Sequence, residues 1–231
     1  MITDVAGLST AVVADACVRV GLAPRAAPTG IRPVVPGGAL VAGRALPARH
    51  YGSVDVFLEA YGAAGPGDVL VVDNGGRTDE ACLGDLAVLE ARAAGVAAVV
   101  VWGLHRDTRE LTDIGVPVFS YGSLPLGPLR VDERGPEALT SARLGPLEIT
   151  RDDLVLADDD GVLVVALDRF DEALEVARGI LRTEREQARR IAAGETLREQ
   201  TAFAEYLDRR AEDPAYTFRR HLRRVGGAIE E

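Results

Sequence analysis

Three stretches of the 231-residue chain predict an α/β fold. Asp68 to Asp73 and Ala97 to Val101 are short runs rich in β-branched residues, too uniformly apolar to alternate, so each reads as a strand covered on both faces. The segment between them, about Cys82 to Ala94, has helical spacing, which makes a βαβ unit. Later, Leu154 to Ala157 and Val162 to Val165 flank Asp158-Asp159-Asp160-Gly161 and read as a hairpin with an Asp-Gly turn.

The remaining elements follow in order. Leu8, Val12, Asp15 and Val18 recur at helical spacing behind Ser9-Thr10, with Gly21 as the stop, which predicts a short amphipathic helix. Prolines and glycines between Ala23 and Pro47 punctuate Val34-Val35 and Ala39 to Ala42, a pattern of short strands and tight turns. Ser53 to Ala63 reads as a helix. In the helix from Cys82, Leu83, Leu86, Leu89 and Ala93 fall on one face. The loop Gly103 to Asp107 leaves the second strand and enters a short helix capped by Thr108 and ended by Gly115. From Asp168, Phe170, Leu174, Ala177 and Leu181 mark a long charged helix ending near Gly194, followed by another from Thr196 to about Arg210. Residues 1–195 therefore read as one domain and 196–231 as a helical extension packed on the core or on a neighbouring subunit.

Composition narrows the chemistry. Hydrophobic residues make up 47% of the chain, enough for a real core. All 26 basic residues are arginine, so Schiff-base aldolase chemistry, covalent pyridoxal phosphate and a P-loop lysine are excluded. The formal charge of −10 falls equally on residues 1–150 and 151–231 and opposes nucleic-acid or anionic-membrane partners. Cys17 and Cys82 lie in apolar, helical-looking surroundings and read as buried thiols without a disulfide framework. No leader is apparent. The longest uncharged stretch, Ile114 to Leu129, is interrupted by three prolines and is shorter than the roughly 20 residues a spanning helix needs. A cytoplasmic protein is expected.

Chemistry concentrates where the two strands of the βαβ unit end. Asn74-Gly75-Gly76-Arg77 and Gly84-Asp85 follow the first, and His105-Arg106-Asp107 follows the second. Ligands of open α/β sheets sit beside such strand ends. A helix N-terminus offers free amides to a carboxylate, an arginine adds a bidentate contact, and an aspartate beside it is a hard oxygen ligand for Mg²⁺. The plainer reading is a glycine turn with a surface Arg-Asp pair.

The stretch Gly67 to Arg77, then Gly84-Asp85-Leu86, then Arg106-Asp107 resembles the RraA-like family. Its metal-dependent aldolases share an Asp, twenty residues, then Arg-Asp, and Asp85, residues 86 to 105 and Arg106-Asp107 keep that spacing. The Leu8-Ser9-Thr10 helix with Asp15 and the hairpin from Asp153 to Val162 are also similar, extending the resemblance over roughly residues 5 to 195. It implies a swivelling β/β/α fold that assembles as trimers or dimers of trimers. By the same resemblance, Asp107 ligates Mg²⁺ or Mn²⁺, and Arg106 holds the substrate. Gly84, Asp85, Leu86 and Ala87 supply amides to its carboxylate, and Asp85 orients metal-bound water. The implied reaction is class II: retro-aldol cleavage or decarboxylation of a small 2-oxo acid through a pyruvate-type enolate, the metal acting as Lewis acid where a lysine iminium otherwise would. The family also includes a non-catalytic regulator of ribonuclease E activity, which gives an interaction protein as the alternative. A methyltransferase lacks support, because no Gly-rich cofactor turn with an acidic ribose ligand is present.

Other features read more plainly. His105 can act as acid or base beside the metal, but a lone loop histidine is more often structural, and His50 and His221 have no ligand-like partner in sequence. Arg77-Thr78-Asp79-Glu80 adds charge at the mouth of the site. Asp158-Asp159-Asp160-Gly161 lacks an EF-hand's spacing, and its turn role suffices. Arg219, Arg220, Arg223 and Arg224, with Glu230 and Glu231 close by, read as interface salt bridges, and Tyr216 and Phe218 as residues that dock on a neighbour.

Overall fold

The structure is a computed structural model and describes residues 4–226, so Glu230 and Glu231 lie outside the described residues. Helix α1 (Thr10–Arg19) is followed by the two-residue strands β1 (Arg25–Ala26) and β2 (Arg32–Pro33), the long β3 (Val41–Arg49), α2 (Asp55–Gly62) and β4 (Val69–Asp73). Next come β5 (Ala81–Leu83), α3 (Asp85–Ala93), β6 (Ala98–Trp102), β7 (Leu104–His105), α4 (Thr108–Ile114) and β8 (Val118–Ser120). Two hairpins, β9 (Ser141–Leu144) with β10 (Leu147–Thr150) and β11 (Asp153–Asp158) with β12 (Gly161–Ala166), precede α5 (Phe170–Ala192), α6 (Leu197–Gln200), α7 (Phe203–Glu212) and α8 (Phe218–Val225).

The main sheet has eight strands in the order β1-β12-β11-β3-β4-β6-β8-β2. Strand β3 joins its two halves: Val41 to Arg44 pair antiparallel with β11, and Ala45 to Arg49 pair parallel with β4. Period-2 alternation then divides the apolar residues among three cores. On β4, Leu70 and Val72 face α2 and α3, whereas Val69 and Val71 face the β9–β10 hairpin. On β11, Leu154 and Leu156 pack against α1 and α5, whereas Val155 and Ala157 join Val69 and Val71 in the inner core. The inner core thus takes one face of both halves, with Ala142, Leu144 and Ile149 of β9 and β10 filling the concavity. β9 and β10 were not legible in the sequence.

Several elements differ from expectation for identifiable reasons. The buried face of α1 is Val12, Val13, Ala16 and Cys17, while Asp15 and Val18 are exposed. Cys82 lies on β5, not on a helix, because Ala81 and Leu83 pair with β7 and Gly84 is extended. Removing Leu83 from the helix shifts its phase: Ala87, Val88 and Ala91 are buried, and Leu86 is 76% exposed. The hairpin closes on Asp158 paired with Gly161, so the two-residue turn is Asp159-Asp160. Its acidic side chains serve the backbone: Asp158 accepts from the Thr10 amide and hydroxyl, both at 2.7 Å, and Asp159 accepts from the Gly37 amide.

Helix α5 buries Phe170, Leu174 and Ala177 as expected. The predicted single helix from Thr196 is broken after Gln200, with Ala202 in the left-handed region at φ 47°. The freed Thr201 carbonyl accepts from Nε2 of fully buried His221 at 2.8 Å, which compensates the break. Tyr216 and Phe218 pack with Tyr206 and His221 inside this helical group, with Tyr216 buried and Phe218 half-buried. Arg224 pairs with Glu205 at 2.7 Å within the same chain.

Where β3 changes partners, Gly43 lies against the turn before β4: a Cβ there would stand 2.3 Å from the Gly67 carbonyl oxygen and 2.6 Å from Val69 Cγ2. Gly43→Ala is expected to cost about 1–3 kcal/mol by overpacking, read as a lower urea midpoint at unchanged m-value.

Candidate active site

The site is built where β5 and β7 end. These two short parallel strands lie outside the main sheet, and the Arg106 amide donates to the Leu83 carbonyl at 2.9 Å, fixing the start of α3 beside the start of α4. Asp107 precedes α4 with φ 61° and ψ 40°, a left-handed conformation that aspartate adopts more readily than most residues but still at a cost. It takes the N-cap position without a side-chain capping bond, so Thr108 is the first helical residue and not the cap. The Asp107 carboxylate instead turns to α3: Oδ2 accepts from the Asp85 amide at 3.3 Å and lies 3.3 Å from Arg106 Nε.

Glycines stand opposite. A Cβ on Gly84 would fall 2.5 Å from Asp107 Oδ2 and 3.0 Å from Arg106 Nε, and one on Gly127 would fall 2.9 Å from an Arg106 terminal nitrogen. Two glycines thus clear a slot for the Arg106-Asp107 pair. Both side chains stay accessible, at 49% for Arg106 and 33% for Asp107. A cavity of about 290 Å³ opens here, walled by Gly84, Asp85, Leu86, Ala87 and Arg106 and reaching His50. Five of the six predicted residues line it, and Asp107 adjoins it through Gly84 and Arg106. The Asp85 carboxylate accepts from the Leu86 amide at 2.7 Å. Two first-turn amides of α3 are therefore held by side-chain carboxylates, which an incoming carboxylate would have to displace.

Behind the cavity is a buried polar cluster that the sequence did not disclose. His50, Asn74 and Glu80 are 8%, 1% and 4% exposed. Glu80 is thus not a mouth charge, unlike exposed Asp79. Arg130, from the long segment between β8 and β9, reaches Glu80 at 2.9 Å and Asn74 Oδ1 at 3.1 Å. His50 Nδ1 lies 2.9 Å from the same Asn74 oxygen. The parallel register that pairs Arg49 with Asp73 brings His50 beside Asn74. The one sequence signal was a histidine and an asparagine each closing an apolar strand.

His105 has both ring nitrogens engaged, Nδ1 with Ser120 Oγ at 2.7 Å and Nε2 with Thr108 Oγ1 at 3.1 Å, and burial lowers its pKa from the ordinary histidine value. It braces the loop that carries Arg106. Cys82 is half-buried, not buried as expected, and lines the cavity; burial raises the pKa of its thiol, which disfavours the thiolate. A larger cavity of about 470 Å³ lies between residues 33–41, the end of α4 and the Asp158-Asp159 turn. Its walls are mainly apolar and include none of the predicted site residues. Among the described residues, no three His, Cys, Asp or Glu side chains cluster as a metal cage.

A 133-residue stretch, 56% of the chain, is 33% identical to protein DlpA of Legionella pneumophila subsp. pneumophila, of which it spans 21%. Over 98 residues the chain is 36% identical to a Bacillus anthracis protein named "Putative 4-hydroxy-4-methyl-2-oxoglutarate aldolase", covering 42% of this chain and 60% of that protein. The chain therefore matches less than two thirds of the length of either relative. The crystal structure of Streptomyces coelicolor RraAS2, described as an unusual member of the RNase ES inhibitor RraA protein family, superposes with a TM-score of 0.66 at 27% identity, covering 79% of this chain and 93% of that one. The family model RraA-like, described as Aldolase/RraA, matches residues 10–164, well over half of the chain, and the protein belongs to that family.

Proposed function

We propose that the protein is a divalent-metal-dependent lyase that cleaves a small 2-oxo acid by retro-aldol reaction or decarboxylation. The observation that carries this reading is the Arg106-Asp107 pair, held in a glycine-lined slot at the N-terminus of α3, with Asp107 in a left-handed backbone conformation. Strain of this kind is retained where surrounding structure fixes a side chain for use.

The donor set fits Mg²⁺ or Mn²⁺. Asp107 is a partly exposed carboxylate with Asp85 close by, and such hard ions commonly take one or two carboxylates and complete their shell with water and substrate oxygens. When bound, the metal supplies Lewis-acid polarisation of the 2-keto group. Arg106 offers its planar fork to the substrate carboxylate and stabilises charge as the enolate develops. The amides of Asp85, Leu86 and Ala87 and the positive end of α3 complete the carboxylate seat, while the Asp85 side chain, displaced from the Leu86 amide, orients water. A chain without lysine has no iminium route for the same activation.

The family resemblance implies a homo-oligomer, a trimer or dimer of trimers, for which exposed Leu86, Leu129 and Val131 offer apolar surface, and the charge of −10 disfavours nucleic acid as a partner. No helix among the described residues is long and apolar enough to cross a membrane.

The reading is tested by pyruvate release, counted above the protein-free rate under the same conditions, from 4-hydroxy-4-methyl-2-oxoglutarate and from oxaloacetate with Mg²⁺ or Mn²⁺. Chelator is expected to abolish release, and Asp107→Ala to reduce it by more than about 100-fold while leaving the thermal unfolding midpoint within a few degrees. Metal-independent release, or wild-type turnover by Asp107→Ala, would sink the assignment; absence of release altogether favours the interaction-protein alternative. Arg106→Lys is expected to lower kcat/KM roughly 10- to 100-fold, because a point charge cannot replace the fork. Gly84→Ala should weaken Mn²⁺ binding about 10- to 100-fold in a direct titration, since the added methyl displaces Asp107 Oδ2.

A further inference from the structure

His50 closes β3 and is a wall of the cavity that also holds Gly84, Asp85 and Arg106. Its side chain is 2% exposed and stacks on Phe57 with ring centroids 5.4 Å apart. Those contacts fix the plane of the ring. Its tautomer is fixed by a longer chain of donors. Arg130 Nη2 donates to Asn74 Oδ1 at 3.1 Å, and a guanidinium can only donate, so the amide must present its oxygen and not its nitrogen. The same oxygen faces His50 Nδ1 at 2.9 Å and can only accept from it. The proton of the neutral imidazole therefore resides on Nδ1, and Nε2 keeps a lone pair.

Arg130 is itself held in place. Its Nε and Nη2 donate to the Glu80 carboxylate at distances from 2.9 to 3.2 Å, and its Nη1 pairs with Asp132. The charged groups acting on His50 are Glu80, whose Oε1 is 4.0 Å from Nδ1, Arg130 and Asp55. Arg77 Nε also approaches Glu80, at 3.6 Å, so the acid is balanced by two guanidiniums. Burial is the largest influence on the ring and lowers its pKa below the ordinary histidine value, against the opposing effects of the Asn74 bond, Glu80 and Asp55.

We propose that His50, through Nε2, is the proton-transfer group of the lyase reaction, taking the proton of the substrate's 4-hydroxyl during aldol cleavage and returning it to the enolate carbon. The proposal rests on the lyase reading above. As the C3–C4 bond breaks, its electron pair passes into the enolate and the O–H pair becomes the new carbonyl bond, while the proton moves to Nε2. The imidazolium then protonates C3, giving pyruvate and a carbonyl product, and no further reactant is needed. Decarboxylation of oxaloacetate breaks a C–C bond with no hydroxyl proton to remove, so His50 is essential to the first reaction and dispensable for bond breaking in the second.

The test compares wild type and His50→Gln, each with Mg²⁺, on 4-hydroxy-4-methyl-2-oxoglutarate and on oxaloacetate. Expected is a fall in kcat of at least about 100-fold on the first substrate with KM little changed, and a fall below about 10-fold on the second. Wild-type kcat/KM for aldol cleavage should rise with pH through a value below about 6.5, where the imidazole loses its proton, and His50→Gln should lack that limb. Equal losses on both substrates, or no loss on either, overturn the role of His50 and leave the lyase reading standing. A wild-type protein that releases pyruvate from neither substrate overturns both. Nitrogen-15 NMR of the histidine rings in the unaltered protein does not depend on how the variant folds: it should find His50 protonated on Nδ1 at neutral pH, and an Nε2–H tautomer overturns the proposal.

Discussion

The structure depends on the pairing of β3. Nine residues serve two neighbours of opposite sense, with Val41 to Arg44 antiparallel to β11 and Ala45 to Arg49 parallel to β4. A strand in the middle of a sheet cannot change its own alternation, so the same pleat must face one shared core along its full length. That is why Ala45 of β3, Val69 and Val71 of β4 and Val155 and Ala157 of β11 all meet in the inner core. The outer faces are covered by different helices, α2 and α3 over the parallel half and α1 and α5 over the antiparallel half.

The same pairing places the chemistry. Parallel strands put their carboxyl ends on one edge, so His50 after β3, Asn74 after β4 and the Gly103 loop after β6 share that edge. Trp102 of β6 feeds directly through Gly103 into β7, and the β5–β7 pair then carries Arg106 and Asp107 past the N-terminus of α3. A carboxylate this close to a helix N-terminus is favoured electrostatically, which helps offset the left-handed backbone of Asp107. Glycines at 84 and 127 are the steric counterpart, since side chains at either position would occupy space used by the Arg-Asp pair.

Much of the scaffold was legible because its apolar pattern is strong. Asp68 to Asp73, Leu154 to Ala157, Val162 to Val165 and the Phe170-Leu174-Ala177 stripe each correspond to an observed element, since burial on both faces of a strand or one face of a helix leaves an unambiguous record. The record fails where pairing is too short to carry a period. β5 and β7 have three and two residues, and Leu83 on β5 falls in phase with the apolar spacing that follows, which displaces the predicted face of α3 onto exposed Leu86. Local chemistry also placed Gly84, Asp85, Arg106 and Asp107 at adjoining strand ends, where they are found together. Arg130 carried no such local signal, and although His50 and Asn74 each close an apolar strand and Glu80 stands in a charged run near the site, nothing local pointed to their being buried together. Their association depends on register and on one distant segment, as when the Asp132 amide donates to the Tyr51 carbonyl at 2.8 Å and ties that segment across the end of β3.

This last cluster has an energetic logic of its own. A pair of a buried carboxylate and a half-buried guanidinium such as Glu80–Arg130 is weak evidence for stability, because desolvation offsets much of the attraction and apolar replacements can be as stable. What an apolar replacement could not do is orient the Asn74 amide. Glu80 holds Arg130 and Arg130 selects the oxygen face of Asn74; that oxygen in turn selects the protonated nitrogen of His50. The cost of burying charge is thus tied to one proton position beside the cavity, and the cluster is better understood as a device for specifying a tautomer than as a contribution to folding free energy.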